Sequence, residues 1–340
     1  MAKEKSGAHR TSIGGQAVIE GIMMRGPKLI VTAVRKPDGE IVTDKKDVPK
    51  SRKSKILKLP VIRGCVGFFD SMVLGVKALM FSASFFDLEE DENGEEKPKK
   101  EPGRFESWME ARLGSEKALE VVMYISIGLS LIIGIGLFFM LPTLIVGAVS
   151  NLIESFLPAA LYNWSSLIKT FIEVVIRIII FIGYLALVSL MKDIKRTFMY
   201  HGAEHMAIAC FESGEDLTVE NVKKHSRFHP RCGTSFLLIV MVVSLFVFAF
   251  VGWGPEDAEW YVTLAWRLLP RLALLPVIAG ISYEIIKFAG RYTNPLTRAI
   301  SAPGKALQHI TTRQPTDDQI EVAITALTAV LPEVEGEDKW

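Results

Sequence analysis

The chain has 340 residues, of which 49% are hydrophobic and 23% charged, and its formal net charge is +1. A mean hydropathy of +0.29 excludes an ordinary soluble protein of this length and predicts several membrane spans. The near-zero charge and the lack of a base-stacking motif exclude nucleic acid as a partner, and three cysteines are too few for a disulfide framework, which favours a reducing compartment.

The N-terminal part predicts a disordered segment over residues 1–11 and a small β unit over residues 12–60. Ile30 to Val34 and Ile41 to Thr43 have strand character, and the turn signal Lys36 to Gly39 separates them. Four glycines between positions 14 and 26 predict tight turns between short strands, or backbone packed closely against another part of the chain.

The next segments predict a helix and a linker. Residues 61–86 are apolar but carry Arg63, Asp70 and Lys77 at seven-residue intervals, so we interpret them as an amphipathic helix lying on or docked into the membrane domain. A full span is the alternative. A small-residue stripe that includes Gly64 and Gly75 suits close helix packing. Residues 87–104 are charged and poor in apolar residues, which predicts a flexible linker.

The fold class that follows is a polytopic α-helical membrane protein with a small N-terminal β unit. Its membrane domain covers residues 105–313, with spans near 121–141, 171–191, 236–253 and 268–287 and a loop over 192–235 that carries the candidate metal site. Glu173 and Arg177 in the second span have the spacing of an ion pair. Residues 314–340 predict a C-terminal amphipathic helix and tail.

Flanking charge predicts the orientation of these spans. Lysine and arginine fill the 192–235 loop and follow the fourth span, whereas the connection after the third span is acidic. The positive-inside rule then predicts a multi-pass protein of the cell membrane with both termini in the cytoplasm, an arrangement that requires an even number of spans.

The most informative motif is His201-Gly202-Ala203-Glu204-His205. It has the H-x-x-E-H pattern of inverted zincins, and helical spacing places His201, Glu204 and His205 on one face. Two imidazoles could hold a divalent metal there, with Glu204 as the general base for bound water. The alternative is a polar helical extension of the second span.

Three further residues are candidate metal ligands. His229 and Cys232 form an H-x-x-C pair of zinc-type donors, although the same residues fit a plain loop before the third span. Glu284 stands at the interval where a distant carboxylate completes an inverted zincin shell, with an ion pair to Lys287 as the alternative. Cys210 is expected to be a buried small hydrophobe.

These motifs resemble the bacterial YqhQ-like family. The matching stretches are Gly14 to Pro27, Tyr200 to His205, His229 to Ser235, Ala279 to Glu284 and Thr311 to Pro315. The resemblance implies a bacterial membrane protein of unknown function that is described as a predicted metal-dependent enzyme.

The sequence therefore predicts a membrane-embedded metal-dependent hydrolase with a zinc-type site on the cytoplasmic face. The bilayer is its expected partner, and a peptide or a lipid-linked molecule its expected substrate. Two other functions stay open: a non-enzymatic membrane scaffold with a structural metal, and a transporter whose path Glu173, Arg177, Arg267, Arg271 and Glu284 would line.

Overall fold

A computed structural model describes residues 10–48, 57, 59–86, 115–253, 258–292, 294–332, 334 and 337–338. The described chain is mostly helical and contains a small antiparallel sheet. It divides into two compact units. The first combines residues 1–86, 181–252 and 269–340, and the second combines residues 87–180 and 253–268.

The sheet has four strands in sequence order. They are β1 (Gly14–Val18), β2 (Gly21–Arg25), β3 (Leu29–Arg35) and β4 (Ile41–Asp47), and every neighbouring pair is antiparallel. The turn between β3 and β4 uses Gly39 with φ +88°, as its turn signal predicts, and a shorter turn at Glu20 joins β1 to β2. Both strand predictions are confirmed, and the glycine-rich stretch forms two further strands.

Helices make up the rest of the described chain. They are α1 (Ile62–Ala83), α2 (Ser115–Ile135), a π-helical segment (Gly136–Met140), α3 (Leu141–Ala148), α4 (Ser150–Phe156), a 3₁₀ segment (Ala159–Trp164), α5 (Ser165–Val188), α6 (Lys192–Ser213), α7 (Val219–Val222), α8 (Gly233–Ala249), α9 (Trp260–Arg291), α10 (Pro295–Thr311) and α11 (Asp317–Thr328).

The two central strands of the sheet, β2 and β3, are buried on both faces. Ile22 and Met24 of β2 belong to a core shared with α6 and α11, whereas Met23, which points the other way, packs near Ala78 of α1. Tyr200 of α6 and Ile320 of α11 are fully buried in the shared core. The β unit, α6 and α11 therefore fold as one body, although they lie far apart in sequence.

The small-residue stripe of α1 packs as predicted at two of its positions. A Cβ on Gly64 would lie 2.9 Å from the Gly280 Cα of α9, and one on Gly75 would lie 2.4 Å from the Gln16 side chain of β1. Gly67 faces open space. One end of α1 is thus held by α9, and the other by the sheet.

Within the described residues, four helical stretches are long and apolar enough to cross a membrane: Ile62–Ala83, Tyr124–Ala148, Ala159–Val188 and Tyr261–Arg291. Three overlap predicted spans, and the fourth is the helix for which a full span was the alternative. The predicted span at 236–253 corresponds to α8, which has 17 residues and is the shortest of these apolar helices. It ends at Ala249, shortly before Gly252 adopts a left-handed φ of +71°.

The predicted N-terminal disorder is wrong at its last two residues. Arg10 donates to the carbonyl oxygens of Gly290 and Arg291, at 3.2 Å each, and the Thr11 amide donates to the Glu212 carboxylate at 2.8 Å. These long-range bonds leave no local pattern in the sequence. Residues 1–9 and the predicted linker at 87–104 lie outside the described residues.

The second unit contains a buried polar cluster. Arg177 pairs with Glu173 at 2.6 Å, as the spacing predicts, and its Nε donates to the Phe138 carbonyl at 2.8 Å. Thr143 also donates to Glu173, at 3.0 Å. Phe138 lies in the π-helical segment, so the Arg177 side chain bonds to the backbone at the point where the helix widens.

Candidate metal centre

Helix α6 carries the first three candidate residues on one face. His205 and Glu204 are 1% and 5% exposed, and His201 is half-buried. The two imidazole rings stack edge to face with centroids 4.4 Å apart. The i, i+4 spacing of a helix therefore brings both rings to one point, as the motif predicts.

Backbone carbonyls determine which ring nitrogen of each histidine carries the hydrogen. His201 Nδ1 donates to the Thr311 carbonyl at 2.8 Å, and His205 Nδ1 donates to the Arg227 carbonyl at 2.6 Å. A carbonyl can only accept, so in a neutral ring the lone pair is on Nε2. Metal-binding histidines are commonly oriented in this way by a second hydrogen bond.

Cys232 joins the two histidines. Its Sγ lies 3.1 Å from His201 Nε2, and one ligand atom each of His201, His205 and Cys232 lie within 4.8 Å of one another. Cys232 is also the N-cap of α8, where its Sγ accepts the Thr234 amide at 3.4 Å. The loop before α8 thereby places a thiol against the histidine face of α6.

His229 lies beside this group without belonging to it. Its ring centroid is 5.5 Å from that of His205, and its Nε2 faces Arg231 at 3.3 Å. Gln308 holds its backbone through two bonds of 2.8 Å each, one to the amide and one to the carbonyl. Burial lowers the pKa of His229 to about 4, so the ring is neutral at pH 7.

Glu204 is anchored by the glycine-rich N-terminal stretch. Its Oε1 accepts the Gly15 amide at 3.0 Å, and a Cβ on Gly15 would lie 3.1 Å from its Cδ. Burial raises the pKa of Glu204, while the nearby His201 imidazole and the Gly15 amide oppose that rise. The close backbone approach that the glycines predict thus occurs beside the candidate general base.

Glu284 lies elsewhere. Both of its oxygens accept from Arg63 of α1, at 2.7 and 2.5 Å, so its carboxylate links α1 to α9. The structure does not bring it into the group of His201, His205 and Cys232. The alternative prediction from the sequence was an ion pair between Glu284 and Lys287. The hydrogen bonds to Glu284 instead come from Arg63, which is far away in sequence, because α1 packs on α9 at this level.

Several residues that support the group have no signal in the sequence motifs. Thr311 and Arg227 act through backbone carbonyls, which every residue type possesses. Gly202 gives an indirect signal, since a Cβ there would lie 2.1 Å from the Arg313 carbonyl oxygen. The segment after α10 therefore crosses α6 at the one position in the motif that has no side chain.

A second group of donors lies at the far end of α6. Atoms of Cys210, Glu215 and His225 lie within 4.8 Å of one another. Cys210 is fully buried, and its thiol donates to the Asp216 carbonyl at 3.7 Å. Burial raises the pKa of this thiol. A protonated thiol that donates to a carbonyl fits the predicted buried hydrophobe better than a metal ligand.

Comparison with known proteins agrees with the motifs. Residues 59–333 match the family described as protein of unknown function (DUF1385). The chain is also 35% identical over 326 residues to the uncharacterized protein YqhQ of Bacillus subtilis (strain 168), covering 94% of this chain and 92% of the relative. The chain belongs to this family.

The family membership confirms the resemblance seen in the motifs. Neither the family description nor the relative's name assigns an activity, a metal or a substrate. No solved structure is significantly similar to the chain.

Proposed function

We propose that this protein is a membrane-embedded, metal-dependent hydrolase with a zinc-type site on the cytoplasmic face. One observation carries the proposal: two imidazoles, each with Nδ1 bound to a carbonyl, meet a cysteine sulfur within 4.8 Å. Three electron-pair donors so close together are what a zinc ion requires.

The number of ligands favours catalysis over a purely structural role. Three protein ligands leave one tetrahedral position open, as in catalytic zinc sites. A zinc ion held there would lower the pKa of a bound water to about 7. Glu204 lies on the same helix face, and the Gly15 amide orients its carboxylate to accept the proton of the attacking water.

The same atoms support a second candidate, a thiol nucleophile. His201 Nε2 lies 3.1 Å from the Cys232 sulfur, and the Thr311 carbonyl orients the ring from the other side. A nucleophile, a base and a group that orients the base are the parts that covalent acyl transfer needs. This candidate uses no metal, so metal analysis separates it from the first.

The shared core supports a specific membrane arrangement. The β unit, α6 and α11 pack together, so all three must lie on one side of a membrane. The chain must then cross the membrane an even number of times between β4 and α6. It must also cross an even number of times between α6 and α11. Crossing by the α2–α3 helix and α5, and then by α8 and α9, meets this requirement.

In this arrangement α1 lies at the interface, because its two ends are held by the sheet and by α9. Helix α8 is about 25 Å long at 1.5 Å per residue, so it crosses with some local thinning of the bilayer. The positive charge of the 192–235 loop supports the proposal that the β unit, α6 and both termini lie in the cytoplasm. A peptide or a lipid-linked molecule would reach the site from there.

Metal analysis tests the site. Purified protein should contain about one zinc per chain, and His201→Ala or His205→Ala should lose most of it. His309→Ala is the matched control, since His309 is an exposed histidine on α10. Equal zinc content in wild type and in the His201→Ala, His205→Ala double variant would reject the metal site.

A conservative variant then separates an enzyme from a scaffold. Glu204→Gln keeps the shape of the side chain and its bond to Gly15 but cannot take a proton. A hydrolase should lose at least ~10²-fold in a cellular assay that His201→Ala also fails. A zinc-loaded Glu204→Gln protein with full activity would favour the scaffold.

Alkylation separates the metal from the thiol nucleophile. Iodoacetamide should modify Cys232 slowly in zinc-loaded protein and faster after chelation. A nucleophile without a metal would react at the same rate in both cases. The transporter alternative predicts solute flux in vesicles that is insensitive to chelators.

A further inference from the structure

The second unit contains a cavity that the proposed hydrolase does not use. It has a volume of about 660 Å³, which is within the usual range of small-molecule sites. Helix α3 and the first turns of α9 form its walls. Of the described residues that line it, Arg267 alone carries a charge, and Thr143 and Thr263 add hydroxyl groups.

The charged group in this cavity is held in a fixed position. Arg267 Nε donates to the Trp253 carbonyl at 2.9 Å, and its guanidinium lies 4.6 Å from the centroid of the Trp253 ring. Trp253 is itself 5% exposed and donates to Thr170 at 3.1 Å. A guanidinium has five N–H donors and suits carboxylate and phosphate groups.

Gly147 leaves the space in the cavity wall that the Arg267 guanidinium occupies. A Cβ at this position would lie 2.8 Å from Arg267 Nη1, so a larger residue would compete with the guanidinium for the same space. The remaining walls are apolar and include Met140, Leu144 and Leu264. The cavity therefore combines one cation and two hydroxyls with a hydrocarbon-like lining.

Aromatic residues indicate the depth of the cavity. Tyr162 and Trp164, just before α5, and Tyr261 and Trp266 on the first turns of α9 are 53–57% exposed. Exposed tyrosine and tryptophan at the ends of apolar helices mark the headgroup level of a membrane. Arg267 follows Trp266 directly in sequence, so it lies at the same level as these aromatic residues.

We infer that this cavity binds an anionic membrane lipid. The guanidinium of Arg267 takes the charged headgroup, the hydroxyl of Thr263 supplies a further polar contact, and the apolar walls take the start of an acyl chain. The inference is independent of the proposed hydrolase, because it uses no residue of the metal centre.

Binding of short-chain lipids to the full chain in neutral detergent tests the inference. The probes are dioctanoyl phosphatidylglycerol, dioctanoyl phosphatidylcholine and inorganic phosphate, with thermal unfolding and native mass spectrometry as readouts. Wild type should bind the anionic lipid about tenfold more tightly than the zwitterionic one, since the choline cation of the zwitterionic lipid repels the Arg267 guanidinium and offsets part of the attraction to the phosphate. Equal affinity for the two lipids would overturn the inference, and so would phosphate binding as strong as that of the anionic lipid.

Variants then locate the effect. Arg267→Gln should remove the preference for the anionic lipid, and Gly147→Leu should reduce binding of both lipids by filling the cavity. Arg298→Gln, an exposed arginine on α10, is the matched control and should behave as wild type. Preference retained in Arg267→Gln, or lost equally in Arg298→Gln, would refute the site. If Arg267→Gln does not fold, the wild-type lipid comparison and Gly147→Leu decide.

Discussion

Gly202 offers a test of the metal centre that changes neither a ligand nor a charge. In Gly202→Ala the new Cβ would lie 2.1 Å from the Arg313 carbonyl oxygen, and contacts under 3.0 Å essentially never occur. The segment after α10 must therefore move by about 1 Å. Thr311, the last residue of α10, lies two residues before Arg313, so the same movement displaces the Thr311 carbonyl, which accepts from His201 Nδ1 at 2.8 Å.

Two opposing effects set the size of the change in stability. Alanine in place of glycine within a helix stabilises by about 1 kcal/mol. Overpacking against a rigid neighbour costs about 1–3 kcal/mol, and a backbone carbonyl is at the upper end of that range. We expect a net loss of about 2 kcal/mol in the free energy of unfolding, because the steric effect is larger. The displaced Thr311 carbonyl should also weaken zinc binding by about 10–100-fold, as is usual when the partner of a metal-bound histidine is lost.

The assay is a zinc titration against a competing chelator, followed by thermal unfolding of the same samples. Gly183→Ala in α5 is the matched control: nothing lies within 4 Å of its new Cβ, so it should be unchanged or slightly stabilised and bind zinc normally. If Gly202→Ala binds zinc as tightly as wild type, the Thr311 carbonyl does not orient His201, and the argument from the second hydrogen bond fails. A fall in zinc affinity in Gly183→Ala as well would point to a general effect of helix substitutions.

Three further predictions concern the shared core, the membrane orientation and the C-terminal segment. Ile320→Ala should lower the free energy of unfolding by about 2–5 kcal/mol, because Ile320 is fully buried between α11 and the sheet. Leu296→Ala, at a 60% exposed position, should lower it little. Equal losses for the two variants in chemical unfolding would contradict the shared core. A cysteine at Glu259 should be labelled from outside intact cells and one at Glu215 only after permeabilisation; labelling of both in intact cells would exclude the proposed orientation. Gly26→Ala should loosen the C-terminal helix, because the new Cβ would lie 2.3 Å from the Val330 carbonyl oxygen, and unchanged protease resistance there would refute this.

The sequence predicted local features well. Apolar length predicted the helices, and the turn signal at Lys36 to Gly39 predicted the hairpin, because both follow from backbone and side-chain properties within a few residues. The spacing of His201 and His205 predicted a common face for the same reason, since a helix turns every 3.6 residues. The glycine-rich stretch correctly indicated close backbone packing, but not its partner.

Only the tertiary structure decided which distant groups meet. Cys232 reaches His201, Gly15 reaches Glu204, and Glu284 pairs with Arg63 rather than joining the histidines. The carbonyls that orient both imidazoles belong to Thr311 and Arg227, and a carbonyl leaves no mark in a sequence because every residue has one. Helix length and motif spacing are local properties that the chain determines by itself, whereas these contacts depend on how the sheet, α6 and the segment after α10 pack into one core.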